Sequence, residues 1–154
     1  MNEAVNMLEE VKLLAARPRG NACIVLAHNY LEQKAWATEL AKQTENDHIV
    51  LLEHFANKSE IAAQVGQYSV TRLFEYFKGR STAPVLIVSG LEFIKATWVG
   101  HSNSIEQFAS RVEMWNSKPS LLFVMQYDSV LANFNFNRYK QYKFVIDQKE
   151  TLAL

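Results

Sequence analysis

The chain has 154 residues, 16 Lys+Arg against 16 Asp+Glu, and 49% hydrophobic residues. A domain of this length buries roughly two thirds of its unfolded surface, and a 21% charged share beside so large an apolar one excludes a disordered chain. The zero balance excludes capture of nucleic acid by bulk charge, the single Cys23 excludes an internal disulfide, and no Cys/His spacing suits zinc.

The amino-terminal segment carries acids where a signal peptide needs bases, and the apolar runs fall far short of the ~20 residues of a membrane span. One cytoplasmic domain without a membrane partner is expected. Residues 1–20 would form a helix and turn, 21–147 an α/β core and 148–154 a tail.

Residues 3–16 place Val5, Leu8, Val11 and Leu14 on one stripe, widened by Met7 and Ala15, which predicts a helix that Asn2 could cap. Residues 22–27 are apolar at every position, as in a strand covered on both faces. A helix over 31–44 follows, with Leu31, Trp36, Ala37 and Leu40 inward. Residues 49–52 read as a second buried strand. A helix capped by Ser59 should then run to about Lys78, where Gly79 ends it. Its end clusters Phe74, Tyr76 and Phe77, which could leave an exposed patch. Residues 84–88 form the third strand, and 92–100 are ambiguous. Residues 104–117 form a helix with Ile105, Phe108, Val112 and Trp115 on one face. Residues 121–125 are a fourth strand, 128–137 a turn or short helix with an Asn-rich loop, and 142–146 a fifth strand. The tail could add one more short strand. Strands alternating with helices predict a three-layer α/β sandwich around a mostly parallel five-stranded sheet.

Ligands of such sheets bind beyond the carboxyl ends of the strands. After strand one stands His28-Asn29-Tyr30-Leu31-Glu32-Gln33-Lys34-Ala35. A phosphate loop needs G-x-x-x-x-G-K-[ST], with glycines that let backbone N–H groups converge on phosphate. Lys34 is in place, but His28 and Gln33 stand at the glycine positions and Ala35 at the hydroxyl position. The plainer reading of Lys34 is an exposed lysine on the first helical turn. After strand three, Ser89-Gly90-Leu91-Glu92 offers Ser where magnesium chemistry wants Asp, and Glu92 as the only nearby acid. After strand four, Asp128 follows Gln126 and Tyr127, where a polar group could sense phosphate or simply make a turn.

The segment 133–143 interleaves aromatics with cations. Arg138, Tyr139, Lys140, Tyr142 and Lys143 could contact a protein partner or stack and pair with single-stranded nucleic acid, or form a solvated strand edge. Cys23 inside an apolar strand reads as inert core. Trp36, Trp98 and Trp115 read as core. His48, His54 and His101 complete no catalytic elbow or metal motif.

This order of elements resembles P-loop NTPases of the RecA/AAA kind, and more narrowly the BrxF family of small P-loop proteins from BREX phage-defence systems. The resemblance covers roughly residues 20–147. In that family a Walker A loop follows strand one, an Asp-x-x-Glu group follows strand three, and an Arg-Tyr element precedes the last strand. Here the matching segments are 28–35, Ser89-Gly90-Leu91-Glu92, and Asn137-Arg138-Tyr139-Lys140-Gln141-Tyr142. On this resemblance, loss of both glycines, the Ser/Thr and the Asp would make the chain a degenerate member.

The resemblance implies a non-catalytic interaction module, working by self-association or by docking to a larger partner in an anti-phage or DNA-transaction assembly. It leaves two alternatives. One is an atypical ATPase, with ATP and Mg²⁺ as cofactors, Lys34, His28 and Asp128 at the nucleotide, and Glu92 orienting water. The other is a single-strand binder acting through 133–143.

Overall fold

The computed structural model describes residues 4–56, 70–96, 98 and 103–154. Helix α1 (Met7–Ala16) is capped by Asn6, whose side chain accepts from the Leu8 and Glu9 N–H groups, and it buries Met7, Val11 and Leu14. The expected Asn2 cap lies outside the described residues. Strand β1 (Ala22–Ala27) is buried at all six positions. Helix α2 (Tyr30–Thr44) leads to β2 (Asp47–Val50), which passes directly into α3 (Leu51–Ala56). The second strand therefore begins and ends earlier than the apolar run 49–52 suggests. The Ser59 cap falls outside the described residues.

Helix α4 (Val70–Phe77) precedes β3 (Val85–Ser89), and the ambiguous stretch after it is a short helix, α5 (Glu92–Ala96). Helix α6 (Ser104–Met114), β4 (Ser120–Gln126), α7 (Ser129–Ala132) and β5 (Val145–Asp147) follow, with a 3₁₀ turn at Gln148–Glu150. In place of a further strand, the tail makes one parallel bridge, Thr151 to Val5.

The five strands form one sheet in the order β2-β3-β4-β1-β5, and every pairing is parallel. Alternate side chains feed two cores. Cys23, Val25, Ile87, Leu122 and Val124 meet α1 and α2 on one face. Ile24, Leu26, Leu86, Val88 and Phe123 meet the other helices on the opposite face. There Phe74, Phe77 and Phe108 surround Phe123, with ring centroids 5.0–5.8 Å away. Phe74 and Phe77 are thus core and expose no patch, because their helical phase turns both toward the sheet. Trp98 and Trp115 are buried, and Trp36 is partly buried against the α1–α2 core.

The connection from β1 crosses one face through α2 to the edge strand β2. The chain returns through β3 and β4 on the opposite face and passes over β1 to reach β5. Neighbouring strands β1 and β4 therefore send their chains in opposite directions, and a crevice opens beyond their carboxyl ends.

Burial pushes the Cys23 thiol up to about 12, outweighing the opposing charge of Arg17. A thiol so placed has almost no thiolate at neutral pH. A disulfide reagent at pH 8 should leave native protein unmodified and titrate one thiol per chain after unfolding in urea. Fast labelling of the native protein would show that β1 is open.

Candidate functional site

Helix α2 begins at once beyond β1, because the Asn29 side chain accepts from the Leu31 N–H and closes the first turn. Among the described residues, only Glu45 and Asn103 are non-glycine residues with positive φ. Segment 28–33 therefore holds no left-handed residue, and the converging N–H nest of a phosphate cradle is not formed.

The space is taken by Gln33, which is 3% exposed. Its Nε2 donates to Glu92 Oε1 at 2.8 Å, and its Oε1 accepts from the Gly90 N–H at 3.0 Å. Glu92 Oε1 also accepts from the Gln126 backbone N–H at 2.8 Å. One side chain from α2 and one carboxylate thus tie together the start of α2 and the ends of β3 and β4. Gly90 makes the turn beyond β3 possible, close against the end of β2. It sits at φ +71°, and a Cβ there would come 3.1 Å from Val50 Cγ1. A side chain at that position would be both strained and crowded.

The expected site residues Lys34, His28 and Asp128 are each paired separately around this crevice. Lys34 lies outside and meets Glu53 at 2.8 Å, with both side chains more than half exposed. Such a pair contributes at most about 1 kcal/mol. His28 Nε2 lies 3.0 Å from each Asp147 oxygen, and its ring stacks on Tyr127 at 4.8 Å. Asp128 caps α7 through the Val130 and Leu131 N–H groups and meets Lys95 at 2.7 Å. Burial raises the Asp128 carboxyl, but the Lys95 hydrogen bond and charge, with the two N–H groups, outweigh it and hold it below its ordinary value. Asp147 behaves alike, with burial opposed and outweighed by His28 and the Lys149 N–H.

Ser89, at the position where magnesium chemistry wants Asp, is fully buried and lies 2.7 Å from His48 Nε2. The Thr38 hydroxyl donates to the Lys34 carbonyl, so its oxygen is left to accept from His48 Nδ1 at 3.1 Å. In the neutral ring that network places the proton on Nδ1 and leaves Nε2 to accept from Ser89. Burial, and then the charge of Lys34, push the His48 pKa below 6.5, with Glu53 opposing. His54 hydrogen-bonds the Tyr76 hydroxyl, and His101 lies outside the described residues. No group of three His, Cys, Asp or Glu among the described residues could hold a metal ion.

Segment 133–143 is fastened from within. The buried Glu113 carboxylate accepts from the backbone N–H groups of Arg138 at 2.8 Å and Tyr139 at 3.1 Å. Phe134, Phe136, Tyr139 and Tyr142 pack against the core. The Arg17 guanidinium lies 4.5 Å from the Tyr142 ring centre and donates to the Gly20 and Lys143 carbonyls. The Arg138 and Lys140 side chains are exposed, and Lys143 approaches Glu10 at 3.9 Å. The cations remain on the surface, while the rings that would stack bases are largely engaged.

Two features of the site do not follow from motif reading. Gln33 shares the buried stripe of α2 with Ala37, Leu40 and Ala41. A polar residue in phase with those positions was the available signal. Leu31 lies about 160° around the helix from Gln33, because each residue turns about 100°, and it is 88% exposed rather than inward. An open hollow of about 490 Å³ lies beyond β3 and β4, with Glu92 and Gln126 of the crevice network, Lys95 and Asp128 in its lining beside Trp98, Ile105 and Val130.

Comparison with known proteins gives no match: no family model, no curated protein and no solved structure matches the chain.

Removing Glu92 leaves the Gln33 amide and the Gln126 N–H without their acceptor. Glu92→Ala should cost about 2–3 kcal/mol in urea unfolding, whereas Lys34→Ala should cost under about 0.5 kcal/mol. Equal losses would contradict the crevice network. The His48 ring should titrate below 6.5 by NMR, and Lys34→Met should raise its midpoint. The unfolded chain binds the His48 proton more readily, so this contribution to stability is full above 6.5 and lost as pH falls below it. A His48→Asn variant should lack that part of the pH dependence.

Proposed function

We propose that this protein is a non-catalytic interaction module on a P-loop-like frame, whose nucleotide crevice is filled by its own side chains. The observation that carries this reading is Gln33, buried at 3% exposure and bonded to both Glu92 and Gly90. A glycine at that position would leave room for phosphate oxygens, whereas the glutamine amide occupies the room and bonds Glu92 Oε1 and the Gly90 N–H, with Glu92 Oε2 and Gln126 Oε1 left buried without a partner. Lys34, the one retained phosphate-loop residue, is turned to Glu53. The resemblance to the small BREX P-loop proteins suits a module of this kind and suggests an anti-phage or DNA-transaction assembly as its setting.

A module that has given up nucleotide must act through its surface. Five exposed apolar side chains, Tyr30, Leu31, Leu52, Tyr127 and Val130, follow the ends of β1, β2 and β4. Where exposed apolar side chains form a contiguous patch, they mark an association site. The carboxyl edge of the sheet is thus the surface of choice, with the 133–143 cations beside β5 as the second.

Titration calorimetry with ATP and Mg²⁺ should give no heat up to about 1 mM nucleotide. Heat that disappears in Lys34→Ala would overturn the reading and restore an atypical nucleotide site.

A further inference from the structure

We infer that the open hollow beyond β3 and β4 is a binding site for a small organic cation: an ammonium, amidinium or guanidinium group carried on an apolar body. It goes beyond the module reading and stands whether or not that reading holds.

The hollow measures about 490 Å³ and lies beyond the carboxyl ends of two adjacent parallel strands, where sheets of this class take their ligands. That size is typical of a small-molecule site, whereas a protein partner spreads over about 800 Å² of each surface. Glu92 and Lys95 enter the lining from α5, Ile105 and Glu106 from α6, Gln126 from the end of β4, and Asp128 from the cap of α7.

Charge selects the kind of ligand. Among the described lining residues, three acids, Glu92, Glu106 and Asp128, are set against one base, Lys95. Lys95 and Asp128 neutralise each other at 2.7 Å. Glu92 and Glu106 have no ion pair among the described residues, so the lining carries an excess of two negative charges. Glu92 Oε1 accepts from the Gln33 amide and the Gln126 N–H. Its other oxygen, Oε2, is buried without a hydrogen-bond partner, and so is Gln126 Oε1. Both unmet atoms are acceptors, so the group that suits them is a donor. A nitrogen cation brings several N–H donors and the compensating charge together. A phosphate or carboxylate brings neither. Trp98, Ile105 and Val130 supply the apolar wall against which the body of such a ligand packs.

Amide NMR titration of the full chain tests this, with benzamidine as the cation, benzamide as its neutral isostere and benzoate as the anion. Benzamidine should bind saturably with a Kd of about 1 mM or tighter and shift the amides of Lys95, Glu106 and Val130. Benzamide should bind at least about tenfold more weakly, and benzoate should leave these signals in place. Glu106→Gln should weaken benzamidine about threefold or more without moving the melting curve, because that residue is exposed and unpaired. Lys95→Met removes the base from the described lining and should tighten benzamidine about threefold. No saturable shift up to about 10 mM benzamidine, equal binding of benzamide, shifts gathered elsewhere on the chain, or wild-type affinity in both variants overturns the inference. Heat with ATP that Lys34→Ala removes would overturn the module reading alone and leave the cation site to the benzamidine result.

Discussion

The hydrogen bond between the Gln33 amide and the Glu92 carboxylate, 2.8 Å long, holds closed the crevice that this sheet topology opens. Parallel strands whose onward connections diverge leave a gap beyond their ends, lined by polar backbone groups. That gap must be hydrated, filled by a ligand, or filled by the protein. Here Gln33 and Glu92 occupy its part beside β1, and an open hollow lined by Glu92 and Gln126 remains beyond β3 and β4. The carboxylate takes one donor from α2 and one from β4, while the amide oxygen takes the Gly90 N–H after β3. Buried donors left unmet cost more than the same bonds contribute when made, so these few atoms lock the three elements in one arrangement.

The neighbouring polar side chains are drawn into local tasks by the same constraint. Asp128 caps α7 and holds Lys95, Ser89 holds His48, and His28 holds Asp147. Each would be available to a nucleotide in an open crevice. Once the centre is occupied, the flanking groups pair with one another, and the edge presents closed ion pairs interrupted by apolar side chains. A surface of that kind suits protein contact better than phosphate, which is the basis for reading the molecule as an interaction module and its carboxyl edge as the interface.

The sheet was legible because its strands are buried on both faces and so appear as unbroken apolar runs. Residues 22–27 and 121–125 were placed within a residue of β1 and β4 by that rule. The edge strand was displaced, since β2 begins with polar Asp47 and His48 and its last apolar residues, Leu51 and Leu52, belong to α3. The fifth strand is only three residues long, because Tyr142 and Lys143 lie in the loop that Glu113 and Arg17 hold. The motif reading recognised Gln33 only as a missing glycine. Its actual role depends on partners 57 and 59 positions away in sequence, which no local pattern reveals. Likewise, the 133–143 aromatics looked available for stacking because the sequence does not show the groove into which they pack.

The most direct measurement is amide hydrogen exchange at Gly90 and Gln126. Both N–H groups lie at strand ends and donate to side chains, Gly90 to Gln33 and Gln126 to Glu92. If Gln33 and Glu92 hold them as described, they should exchange as slowly as the neighbouring amides of β3 and β4, and both should speed up together in Gln33→Ala. Exchange at the rate of an exposed loop in the wild-type protein would show the crevice to be open and would contradict the account.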